Sequence, residues 1–130
     1  MRRPEAGFTL IELLIVILII GIVASIVIPK FGNGRERAYL ATMKGDLRNL
    51  AVSQEAYFYD NSGYYDGPLP KAEFTHDPSP GVTLTLQDVT PGGWAATATH
   101  IGLLKKCTIY LGVAPPLAPA TSQGEPKCEL

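Results

Sequence analysis

A single glutamate, Glu12, stands inside an apolar run from Phe8 to Ile28, behind a short basic head, Met1-Arg2-Arg3-Pro4-Glu5-Ala6-Gly7. Its chemistry is electrostatic. A charged side chain at the centre of a membrane helix costs about 2.5 to 3.5 kcal/mol on insertion scales, so one near the start of such a helix is tolerated where it finds a partner. The obvious partner is an amine: a cut between Gly7 and Phe8 would free an α-amino group four residues before Glu12, one helical turn away on the same face. Other residue types capable of chemistry carry weaker patterns. His76-Asp77 could be a metal pair or a dyad, but with prolines at 78 and 80 and no third group at a recognisable spacing it reads as a turn with a solvated His. Lys105-Lys106 could touch DNA, yet a solvated hairpin tip explains it, and no specific nucleic-acid partner is expected. Cys107 and Cys128 have no histidine at ligand spacing, since His76 and His100 bear no regular relation to them, so no metal site is expected. Without a phosphate-binding glycine loop, nucleophile elbow or metal helix, the chain is expected to be no enzyme and to need no cofactor.

The run Gly7-Phe8-Thr9-Leu10-Ile11-Glu12-Leu13-Leu14-Ile15-Val16 resembles the start of a type IV prepilin or of the related type II secretion pseudopilins. The resemblance implies a leader of residues 1–7, cleavage between Gly7 and Phe8 by prepilin peptidase, N-methylation of Phe8, and a role for Phe8 and Glu12 in filament assembly. An ordinary secretory signal or plain anchor also needs a basic head before an apolar stretch. It has no use, however, for a carboxylate in that stretch, and it places its small-residue cleavage site after the stretch rather than at Ala6-Gly7.

The elements that must position Glu12 follow from composition. From Phe8 to Ile28 the only polar side chains are Thr9, Glu12 and Ser25. As a helix these residues span about 31 Å, the thickness of a bilayer's hydrocarbon core. The precursor carries a formal charge of −1, and removal of the leader leaves nine basic against eleven acidic side chains. Arg2 and Arg3 should stay cytoplasmic, which sends the chain after Pro29 outward into an oxidising compartment. There a Cys107–Cys128 disulfide is permitted, closing a loop worth about 3 kcal/mol, with free or intermolecular thiols as the alternative. Gly21 and Pro29 suit a helix that bends or unwinds, and Gly32-Asn33-Gly34 extends the weak zone; a simple end to the anchor is the alternative. In the family, the matching stretch is helical in the isolated subunit and can be extended in the filament.

A helical period then returns, with Leu40, Met43, Leu47, Leu50, Gln54, Tyr57 and Phe58 on one stripe and Lys44, Asp46, Arg48 and Glu55 largely off it. The helix should stop at Asn61-Ser62-Gly63 and pack its stripe on a sheet. Residues 63–81 read as an irregular connection, and strands are expected over 82–88, 94–100 and 107–113, with Val82, Leu84 and Leu86 facing the helix. The proline-rich tail should wrap as a loop held by Cys128. Tyr57, Phe58, Tyr59, Tyr64 and Tyr65 read as packing residues rather than as an electron path.

The expected class is α+β: a long N-terminal helix, assembly half 8–29 and amphipathic half 30–62, packed on a small antiparallel head, 63–130. The resemblance implies a structural subunit of a type IV pilus-like filament, resident in the cytoplasmic membrane with its head outward until it polymerises with like subunits, helped by a platform protein and an assembly ATPase. The alternative is a major pseudopilin of a type II secretion system. The tail leans toward a pilin, since Asp and Glu are absent between Asp88 and Glu125, where secretion relatives commonly hold calcium. A monomeric membrane-anchored binding domain is the third reading, and Glu12 argues against it.

Overall fold

The computed structural model describes residues 7–69, 74 and 76–130, and the backbone alone at 29–32. Arg2, Arg3 and Ala6 of the expected leader therefore lie outside the described residues, as does the side chain of Pro29. One helix, α1 (Leu10–Asn61), precedes four strands, β1 (Val82–Thr90), β2 (Gly93–His100), β3 (Leu103–Gly112) and β4 (Lys127–Cys128). The chain divides into two compact units between Arg35 and Glu36. The α+β class expected from the sequence is the one observed.

The first unit carries the apolar half of α1. Its backbone is helical through Gly21, Pro29 and Gly32-Asn33-Gly34, so neither Gly21 nor Pro29 ends the helix in the single chain. Once nucleated, a helix gains a bond for every residue added, and ending and restarting it would mean crossing a costly nucleation step again. Large apolar side chains stand exposed along this half, from Leu10 to Ile28.

In the second unit, the four strands form one antiparallel sheet in the order β1-β2-β3-β4. Met43, Leu47 and Leu50 of α1 are fully buried in one core with Val82, Leu84, Trp94, Ala96, Ala98, Cys107 and Ile109. This is the packing that the helical stripe and the alternation in β1 require. Gly93 and Gly112 face each other in register, and a Cβ on either would strike the opposite backbone; Gly112 also takes a left-handed φ of 65°. That close approach closes one end of the β2–β3 pair.

Several details depart from the sequence reading. The left-handed residue ending α1 is Ser62, at φ 55°, rather than Gly63 or Asn61. Its N–H donates to the Phe58 carbonyl at 2.8 Å, which places the helix stop one residue before the glycine. Strand β3 begins at Leu103, so the hairpin tip is Ile101-Gly102, and Lys105-Lys106 lies within the strand. Lys105 Nζ pairs with Glu36 at 2.6 Å, instead of standing solvated at a tip. Asp46, expected off the stripe, is buried, and its carboxylate accepts from the Ser79 N–H at 3.0 Å and the Ser79 hydroxyl at 2.9 Å. His76 is also buried, not solvated. Burial holds its pKa below the ordinary value, outweighing the opposing pull of Asp46 and Asp77.

The connection between α1 and β1 is thus fastened to the helix by polar side chains. Gln54, fully buried, donates to the Tyr65 carbonyl at 3.0 Å and accepts from the Tyr65 N–H at 2.9 Å, which satisfies both ends of its amide. Tyr65 stacks on Phe74 at 4.8 Å, and Tyr57 meets both rings edge-on. These aromatics close the core beneath the irregular segment, while Tyr59 is left exposed.

The tail is more than a loop held at one point. Thr108, on the face of β3 away from α1, donates to the Leu117 carbonyl at 2.8 Å and accepts from the Ala120 N–H at 3.0 Å. The Gly124 N–H donates to the Tyr110 carbonyl at 2.9 Å. The tail therefore covers the outer face of β2 and β3, burying Ala95 and Thr108, before β4 pairs with β3.

Candidate assembly site

Glu12 sits in the first turn of α1, and its carboxylate reaches back to the residue that opens the helix. The Thr9 N–H and Thr9 hydroxyl both donate to Glu12 Oε2, at 2.8 and 2.7 Å, while the Glu12 N–H lies 3.3 Å from Thr9 Oγ1. This is a capping box: a threonine before the first turn and a glutamate three residues on exchange bonds with otherwise orphaned backbone donors. The Thr9-x-x-Glu12 spacing before an apolar run carries that signal, and the sequence reading missed it by weighing Glu12 only against an amine.

Phe8 precedes the helix and is exposed, so in the uncut chain it does not stand one helical turn from Glu12 as its number alone suggests. Gly7 likewise stands outside the helix. Further along, the Ser25 hydroxyl donates to the Ile22 carbonyl at 2.7 Å. All three polar side chains of the apolar run are thus satisfied within their own helix, as a span without water requires. The window is long and apolar enough to cross a membrane.

Cys107 and Cys128 are brought together and bonded, opposite each other in the β3–β4 register. Gly21 lies within α1, and the side chain of Pro29 is outside the described residues. Among the described residues, no three His, Cys, Asp or Glu side chains gather as a metal-binding group.

A long apolar helix opened by a Thr-Glu cap, with an amphipathic half packed against a small antiparallel sheet, fits a membrane-anchored protein with a compact head. The prokaryotic N-terminal methylation motif matches residues 2–28. The type IV wide pilus major component PilA4 of Thermus thermophilus is 34% identical over 101 residues, 77% of this chain and 77% of that protein. Type II secretion system core protein G of Pseudomonas aeruginosa is 38% identical over 63 residues, 48% of this chain and 44% of the relative. The type IV major pilin protein PilA of Myxococcus xanthus is 43% identical over 60 residues, 46% of this chain and 27% of that pilin. The chain belongs to the type IV pilin and type II secretion pseudopilin family, and it spans less than half the length of the secretion protein it matches.

Proposed function

We propose that this chain is a structural subunit of a type IV pilus-like filament, cut between Gly7 and Phe8 and N-methylated at Phe8 by prepilin peptidase. In this reading residues 1–7 are the leader, 8–29 the anchor and assembly helix, 30–62 the amphipathic half and 63–130 the head. The supporting observation is the Thr9–Glu12 arrangement at the mouth of an uncovered apolar helix, in a chain whose likeness to a pilus major component extends well past that helix. Before assembly the helix rests in the cytoplasmic membrane with the head outward. Polymerisation moves it from lipid into a core of like helices, where a neighbour's Phe8 amine takes over the Glu12 oxygen that Thr9 occupies in the single chain. Apolar packing supplies most of the adhesion. The charge pair sets the register, because a wrong axial step leaves a carboxylate unpaired in a low-dielectric core. Gly21, Pro29 and the glycines at 32 and 34 form the stretch that can unwind when helices crowd together. A platform protein and an assembly ATPase drive the extrusion.

The alternative, a major pseudopilin of a type II secretion system, rests on the likeness of the N-terminal half to core protein G. Electron microscopy of sheared surface material, with intact-mass analysis, tests both. Long surface fibres containing a chain that begins at methylated Phe8 support the pilin reading. A processed chain confined to short periplasmic assemblies supports the pseudopilin, and a chain that keeps Met1 to Gly7 removes both.

A further inference from the structure

The β2–β3 turn carries apolar side chains where turns ordinarily carry Gly, Asn, Asp or Ser. Ile101 and Leu104 are 91% and 105% exposed, one on each side of the Gly102-Leu103 pair. The turn is held in place. The His100 ring stacks on Tyr39 of α1 with centroids 4.0 Å apart and accepts from the Gly102 N–H through Nδ1 at 2.9 Å, while the Ile101 N–H donates to the Gly81 carbonyl at 2.9 Å. Lys105 pairs with Glu36 one residue beyond Leu104. Both anchoring points on α1, Glu36 and Tyr39, belong to the very start of the second unit's chain. Only eight residue-to-residue steps take the chain from Ile28 to Glu36. Even fully extended they reach at most about 28 Å, so a chain anchored by residues 8–28 keeps this end of the head within reach of lipid headgroups.

We propose that the β2–β3 turn is a lipid contact, Ile101 and Leu104 entering the membrane interface to seat the head on the bilayer while the subunit awaits assembly. The inference rests on the reading of residues 8–29 as the membrane anchor. A second copy is the poorer occupant: a standard protein interface buries about 800 Å² per partner, which two side chains on a narrow turn do not approach. A bilayer already held by the anchor needs no such area, since the tether supplies the local concentration. The flanking Lys106 complements anionic headgroups, being only loosely held at 3.8 Å from Glu129, whereas Lys105 is taken up by Glu36. On polymerisation the helix leaves the lipid, and the turn is released with it.

The test places a fluorescent reporter on the turn of the full mature chain in vesicles of phosphatidylcholine and phosphatidylglycerol with brominated acyl chains, at high lipid-to-protein ratio. Native Trp94 is fully buried and gives a constant background. Leu104→Trp and Ile101→Trp should each be quenched at least about twofold more than Val113→Trp, an exposed control at the far end of β3, because interfacial side chains lie at the acyl boundary. Leu14→Trp reports on the anchor. Strong quenching at Leu14→Trp, with the turn variants no different from Val113→Trp, overturns the proposal and leaves the anchor standing. No quenching at Leu14→Trp overturns both. A turn signal that shifts with protein concentration but ignores bromine assigns the surface to a second copy and overturns the lipid contact.

Discussion

At the residue scale, one carboxylate and one imidazole carry most of the argument. Glu12 is satisfied by Thr9 in the single chain, so it can enter a membrane without a second subunit. Glu12→Gln should therefore insert and be cleaved much as before, yet assemble poorly. It would leave a neighbour's Phe8 ammonium uncompensated, and breaking a buried pair costs about 3 to 5 kcal/mol. The ratio of polymerised to membrane-resident protein, at equal expression, reads this directly; wild-type filament yield would remove Glu12 as a register device. His76 supplies a pH dependence. Its folded pKa is depressed by burial, so the unfolded chain binds the proton more readily. Stability should be full above the unfolded value of about 6.5 and fall as the pH drops below it. Urea midpoints followed by Trp94 fluorescence at pH 7.5 and 5.5 should differ for the wild type and converge for His76→Gln.

At the scale of elements, the amphipathic half of α1 does more than offer an apolar stripe. Asp46 and Gln54 present polar groups from that helix to the connection between α1 and β1, fastening it at Ser79 and Tyr65. Asp46→Ala would leave the Ser79 N–H and hydroxyl without their acceptor, and removing one member of such a set costs about 1 to 3 kcal/mol. The expected result is a lower unfolding midpoint for the head with processing at Gly7 unchanged, checked by urea denaturation beside an intact-mass measurement. An unchanged midpoint would mean that water replaces the carboxylate. The apolar half of α1 behaves differently, since its large side chains from Leu10 to Ile28 stand exposed.

At the scale of the molecule, the head is closed on both faces of its sheet. α1 covers one face, and the tail covers the other through Thr108, Leu117, Ala120 and Tyr110. The sequence reading gave the disulfide nearly sole charge of the tail, and so implied that reduction loosens the tail first. With Thr108 bonding twice to the tail, the expectation changes. Replacing both Cys107 and Cys128 by serine should lower stability by about 2 to 5 kcal/mol while the tail amides stay protected until the sheet itself unfolds. Hydrogen exchange at Ala120 and Gly124 checks this, and early loss of protection there would return the tail to the disulfide alone.

Much of this protein could be read without coordinates, because the relevant interactions are local in the chain. The Gly7-Phe8 junction, Glu12, the apolar run, the stripe from Leu40 to Phe58 and the alternation of Val82, Leu84 and Leu86 each need only neighbours a few residues away. The capping box was equally local and was there to be read in Thr9-x-x-Glu12. Tertiary structure alone decided the rest. Whether Asp46 and His76 are buried depends on where residues 76–79 return to the helix, about thirty residues after Asp46. Whether Thr108 faces water depends on a tail that folds back over it, and the length of β4 depends on β3 standing beside it. A side chain's pattern sets which face of an element it occupies, but its environment is set by what the chain later lays against that face.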